Sequence, residues 1–119
     1  MIPPRGMNDI LPDEARRWQR LEHAFRRTVE LYGYEELRTP LLEQKELYDK
    51  STGETSEVVQ KQMFTLERSG ETLALRPEGT PSAARVYIGQ SMHVAEPETR
   101  WYYIGPMFRA ERPQAGRKR

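Results

Sequence analysis

A chain of 119 residues with 36% hydrophobic and 31% charged side chains is wetter than a self-contained globular domain usually is. That length fits one modest domain, which buries roughly 65% of its unfolded surface, so either the fold is small and polar or part of its core is supplied from elsewhere. The net charge is +1, and the absence of cysteine excludes a disulfide framework, a thiolate metal site and a cysteine nucleophile.

No apolar run approaches the roughly 20 residues that span a bilayer, and the N-terminus lacks a signal-peptide core. A cytoplasmic protein with no membrane attachment is the expectation. Residues 1–11, rich in Pro and Gly, read as an extended lead-in. A helix is expected to start at Pro12, with Asp13 and Glu14 suited to its positive end. Trp18, Leu21, Phe25, Val29 and Tyr32 then share one face, with Arg16, Arg20, His23 and Arg27 opposite. This predicts an amphipathic helix packed on one side and stopped by a left-handed Gly33.

Tyr34 to Thr39 reads as a strand ended by Pro40, and Leu41 to Lys50 as helical or turn-like. Ser51 to Gln60 is polar and carries no clear pattern. Met63 to Leu66 and Thr72 to Leu75 flank a loop containing Gly70, which predicts a hairpin. Thr80 as N-cap with Pro81 after it opens a second helix, to about Gln90. Arg100 to Arg109 (RWYYIGPMFR) is aromatic and strand-like, and runs into the loop PQAGRKR. The order helix, strand, hairpin, helix, strand has no regular βα alternation, so an α+β fold with an antiparallel sheet is expected. The last strand enters a loop without a returning partner. A bare sheet edge is a liability, and the sequence reads as the front part of a longer chain.

The basic terminus (Arg109, Arg112, Arg117, Lys118 and Arg119 against Glu111) suits either a solvated tail or a phosphate-binding element. Arg109 offers a planar fork of donors matched to phosphate oxygens, and Glu111 can accept from an amino group. On their own the two also read as a surface ion pair. Glu78, likewise, can favour a helix start or bind a cation, and Pro40 can simply end a strand. Trp101, Tyr102 and Tyr103 suit a sheet core better than a base-stacking platform. His23 and His93 are too isolated to suggest a metal site.

Larger blocks add context. Arg100 to Arg117, with Phe108-Arg109-Ala110-Glu111 inside it, resembles motif 2 of the class II aminoacyl-tRNA synthetases, in the form typical of histidyl-tRNA synthetases. Gly33 to Glu43 resembles motif 1, whose proline follows a strand at a dimer interface. Leu75-Arg76-Pro77-Glu78-Gly79-Thr80 resembles the segment of those enzymes that holds the amino acid's α-amino group. Arg5-Gly6-Met7-Asn8-Asp9 with Leu11-Pro12 resembles their N-terminal signature.

The resemblance implies the N-terminal portion of a class II catalytic domain over residues 1–119, with motif 1 at about 33–43, the amino-acid segment at about 75–80 and motif 2 at about 100–119. It implies a histidine–tRNA ligase: histidine is activated with ATP and Mg²⁺ to histidyl-adenylate and transferred to tRNA(His), by a homodimer formed through the motif 1 region. Arg109 would hold the α-phosphate, Glu111 the adenine side and Arg117 the outer phosphates. Glu78 and Thr80 would bind the substrate ammonium, and Arg112 and Gln114 would meet the tRNA acceptor end. No Mg²⁺ ligand is identifiable in this stretch, and motif 3 with its second ATP arginine, the histidine pocket and the anticodon-binding domain lie outside it. The 119 residues alone are expected to be inactive. Two other readings compete: the synthetase-like regulatory subunit of ATP phosphoribosyltransferase, and a stand-alone nucleic-acid-binding module using the basic terminus.

Overall fold

The computed structural model describes residues 1–50, 61–96 and 98–110. Helix α1 spans Pro12–Leu31, with proline in its first turn and Asp13 and Glu14 beside it. Its end is set by Gly33 at φ +80°. Tyr34 N donates to Val29 O at 3.1 Å and Gly33 N to Glu30 O at 3.0 Å. This is the paired bonding of a Schellman motif, which satisfies the last carbonyls and turns the chain sharply into the first strand.

Strand β1 is only Glu35–Glu36 and pairs in parallel with β5, Trp101–Tyr102. The longer strands expected over Tyr34–Thr39 and Arg100–Arg109 are therefore shortened to two residues each. Beyond the pair, the backbone groups serve other partners. Thr39 O accepts from the Arg76 guanidinium, and Phe108 N donates to Arg76 O. Pro106, lacking an N–H, cannot extend a ladder.

The larger sheet is antiparallel, in the order β2–β4–β3. Strand β2, Leu42–Gln44, runs directly into a short helix α2, Lys45–Asp49. The Leu41–Lys50 stretch is thus half strand, because the edge of β4 recruits it through Leu42↔Leu75 and Glu43↔Ala74. Strands β3 (Thr65–Arg68) and β4 (Glu71–Leu75) form the expected hairpin. Ser69 and Gly70 make its turn, at φ +54° and +80°. Two successive left-handed residues match the right-handed twist of the flanking strands.

Helix α3 spans Thr80–Gly89 with Gly79 as its N-cap, one residue earlier than expected, and a single turn α4 (Met92–Ala95) follows. The core is small: Tyr48, Met63 and Ala74, with Leu47 against it. Burial pushes the Tyr48 hydroxyl's pKa up, and the neighbouring Ser82 hydroxyl opposes this in part. Glu43 is buried too, its charge met by Arg85 of α3 at 2.7 Å.

The fold is α+β, as the order of elements indicates, and it is open. The Cα radius of gyration is 16.5 Å, against about 13.5 Å for a compact chain of this length. Helix α1 contains no buried residue. Trp18, Leu21 and Phe25 of its apolar face stand 44%, 61% and 44% exposed, so among the described residues the packed face expected for α1 is only partly covered, by Tyr102 edge-on to Phe25.

Candidate active site

The chain leaves β4 at Leu75 and reaches α3 at Thr80 through Arg76-Pro77-Glu78-Gly79. Arg76, Pro77 and Gly79 are buried, and Glu78 is half-buried. The run that follows β5 lies alongside this segment. Phe108 N donates to Arg76 O at 2.9 Å, and Arg109 Nε donates to Pro77 O at 3.2 Å. That second bond orients the guanidinium. It leaves the two terminal nitrogens of Arg109 without a partner among the described residues. A fork fixed at Nε with its outer edge open is the arrangement that receives two oxygens of a phosphate or carboxylate.

The acceptors lie on the neighbouring residues. Glu78 directly follows the carbonyl that Arg109 holds. Thr80 begins α3, and its Oγ1 is 3.4 Å from the Tyr103 hydroxyl. Because Gly79 takes the N-cap position, the Thr80 hydroxyl makes no capping bond and remains available to a ligand. The Tyr103 ring is packed against Gly79 so closely that a Cβ there would overlap it. The residues bearing a carboxylate, two hydroxyls and a guanidinium thus sit on adjoining segments, and side chains of these types suit an ammonium group and an anionic group.

Of the candidate residues, Glu78, Thr80 and Arg109 are thus brought to one place. Glu111, Arg112, Gln114 and Arg117 lie outside the described residues. The aromatic trio divides: Tyr102 is buried, Trp101 half-buried and Tyr103 exposed. Tyr102 belongs to the core side, edge-on to Phe25 at 5.9 Å, and Tyr103 to the site. His23 and His93 are both exposed. Sequence reasoning missed Tyr103 and the glycine it rests on. The available signal was Gly79 beside the acidic residue, since glycine marks close approach as well as turns.

A family profile described as Histidyl-tRNA synthetase matches residues 6–119. The chain belongs to the histidyl-tRNA synthetase family. It is 59% identical over 115 residues to the histidine–tRNA ligase of Sorangium cellulosum, covering 97% of this chain and 27% of that protein. It spans, then, about a quarter of that relative's length. Its fold is similar to that of apo histidyl-tRNA synthetase from S. aureus, with a TM-score of 0.76 and 34% identity over 92% of this chain and 29% of the other. It is also similar to a Bacillus halodurans structure described as ATP phosphoribosyltransferase regulatory subunit/histidyl-tRNA synthetase, with a TM-score of 0.78 and 29% identity over 92% and 28%. The α+β fold is therefore a class II synthetase-like one. No described helix is long and apolar enough to cross a membrane.

Proposed function

We propose that a full-length protein carrying this histidyl-tRNA synthetase segment is a histidine–tRNA ligase, with residues 1–119 supplying the front wall of its adenylation site. The observation that supports this most directly is the Arg109 Nε to Pro77 O bond. It holds the Arg109 guanidinium, whose fork suits phosphate oxygens, against the segment bearing Glu78 and Thr80.

In the proposed reaction a histidine carboxylate oxygen attacks the α-phosphorus of ATP, the bond to the β-phosphate oxygen breaks, and pyrophosphate leaves. The terminal ribose hydroxyl of tRNA(His) then attacks the histidyl carbonyl and releases AMP. Glu78 and Thr80 hold the ammonium group, so the carboxylate faces the phosphate held by Arg109. Reaction between aligned partners avoids much of the entropic barrier. Charge accumulating on the α-phosphate is met by a guanidinium already oriented by Pro77 O, which avoids reorganisation during the step. Glu111 and Arg117 are assigned to the adenine side and the outer phosphates of ATP, Arg112 and Gln114 to the acceptor end of the tRNA.

Mg²⁺ would supply neutralisation of the phosphate charge. Among the described residues no three His, Asp or Glu side chains gather as a metal site. The motif 1 region, with the open face of α1, is assigned to a homodimer, and the protein to the cytoplasm. In this reading motif 1 occupies about 33–43, the ammonium segment about 75–80 and motif 2 about 100–119 of the catalytic domain.

The likeness to the B. halodurans structure favours a second reading, a regulatory subunit that keeps the fold without the chemistry. Histidine-dependent ATP–pyrophosphate exchange by the full-length protein separates the two. Exchange is the expected result. Histidine binding without exchange would support the regulatory reading.

A further inference from the structure

Arg76 has no part in the reaction just described, yet it is the most heavily engaged side chain in the region. It is 5% exposed and makes no ion pair among the described residues. A guanidinium taken out of water without a carboxylate is costly unless its donors are well satisfied, so what those donors hold is informative. Nε donates to Pro106 O at 3.0 Å, and Nη1 donates to both Thr39 O and Thr39 Oγ1 at 3.2 Å. The backbone adds two more bonds of 2.9 Å, from its own N–H to Leu41 O and from Phe108 N to its carbonyl. One residue thereby joins the end of the motif 1 region, the segment leading to Glu78, and the run leading to Arg109.

Gly105 is built around this arginine. Its φ is not among the positive values of the chain, so backbone freedom is not why a glycine stands there. A Cβ at position 105 would overlap Arg76 Nη2. The run from Tyr103 to Arg109 belongs to neither sheet. Among the described residues its polar tethers to the Arg76–Pro77 segment are Phe108 N, Arg109 Nε and the Arg76 bond to Pro106 O.

We propose that Arg76, seated against Gly105, is a positioning residue for adenylate formation: it sets the spacing between the ammonium-binding Glu78–Thr80 segment and the phosphate-binding Arg109. This rests on the ligase reading above. It follows that Arg76 touches no substrate and that its loss is felt in the chemical step. Glu78 and Thr80 keep their seat at the start of α3, whereas the run carrying Arg109 loses its anchor at Pro106.

The test uses a full-length ligase carrying this sequence, with Arg76→Lys, Gly105→Ala and the double variant. Pyrophosphate exchange, histidine affinity by calorimetry and thermal melting are measured on each. Lysine keeps the charge but has no second terminal nitrogen and cannot reach Thr39 and Pro106 together. A displacement of about 1 Å at a reacting group can cost on the order of 100-fold. Arg76→Lys is accordingly expected to lower kcat about 10- to 100-fold, with histidine affinity held within about threefold. Gly105→Ala should fall in the same direction, because the new Cβ pushes the guanidinium out of its seat. Adding Gly105→Ala to Arg76→Lys should cost no more than about a further twofold, since the nitrogen it would strike is gone.

Wild-type kcat in Arg76→Lys would overturn the proposal, as would effects of the two substitutions that simply multiply. Loss of histidine binding and of the melting transition together in Arg76→Lys would also overturn it, in favour of a purely structural role. If the unaltered enzyme gives no histidine-dependent exchange, the ligase reading itself falls. If it exchanges and is indifferent to Arg76, only the positioning role does.

Discussion

Helix α1 and the Arg76–Thr80 segment both contact the strand run that begins at Trp101, but they are held to it in opposite ways. The segment is buried at Arg76, Pro77 and Gly79 and is tied to that run through Phe108 N, Arg109 Nε and Pro106 O. Helix α1 contains no buried residue and is held by the edge-on contact of Phe25 with Tyr102 and by a polar clasp. Arg26 pairs with Glu36 of β1 at 2.8 Å and lies 5.9 Å from the centre of the Tyr102 ring. The Tyr102 hydroxyl donates to Glu30 at 2.8 Å. The difference teaches where this chain is self-sufficient. The five-residue segment is over-determined by its own neighbours, whereas the 20-residue helix has its orientation fixed but its apolar face left for another surface.

Four experiments would break or sharpen that contrast. The largest effect is expected at the core behind the segment. Tyr48 is 2% exposed, and truncating a buried aromatic residue to alanine costs about 3–5 kcal/mol. Tyr48→Ala in the full-length protein should lose that much in a denaturant melt. A loss below about 0.5 kcal/mol, the usual size for a surface substitution, would show that the small core is not what supports the site.

Arg109→Lys comes next. The charge stays, but the fork oriented by Pro77 O is lost, and removing one oriented donor to a developing charge costs about 10²–10³ in rate, roughly 3–4 kcal/mol. Pyrophosphate exchange should fall by that factor with histidine affinity almost unchanged, the mark of an interaction made in the transition state. Exchange within about threefold of wild type, far short of that estimate, would remove Arg109 from the α-phosphate.

The open face of α1 gives the third experiment. Leu21 is 61% exposed in this chain, so Leu21→Asp should be nearly neutral in the chain of 119 residues by itself. In the full-length protein, if that face forms the dimer, a carboxylate buried there should weaken association at micromolar concentrations. Sedimentation velocity reads this directly, and an unchanged dimer would place the interface elsewhere.

The smallest effect is the clasp itself. The Arg26 hydrogen bond, aided by Arg38, holds the Glu36 carboxyl below its ordinary value of 4.5. A folded pKa below the unfolded one gives stability that is present above the ordinary value and is lost as pH falls through the folded one. The melting temperature of wild type should therefore exceed that of Glu36→Gln at neutral pH, with the gap closing below about pH 4.5. Because the group is near solvent, salt should also narrow the gap. A gap that grows on acidification would show that Glu36 is not the acceptor in the clasp.

Much of the local structure was legible in the residues. Pro12 and Gly33 bound α1 where expected, and the hairpin over Thr65–Leu75 follows from its turn and flanking apolar residues. These are near-neighbour properties, set by φ preference, periodicity and short-range capping. The candidate residues Glu78 and Arg109 stood out only through family resemblance, and the structure sets Arg109 against the carbonyl that precedes Glu78.

What the sequence by itself could not decide is which extended stretches find partners. Tyr34–Thr39 and Arg100–Arg109 both have strand character, yet only two residues of each pair. The remaining backbone groups are claimed by a buried arginine and by the segment before α3. The same limit hid Tyr103, whose place beside Thr80 depends on residues 23 positions apart meeting in space. A hydrogen bond of that span is chosen by competition among all available donors and acceptors once the chain has collapsed, and only the tertiary structure records the outcome.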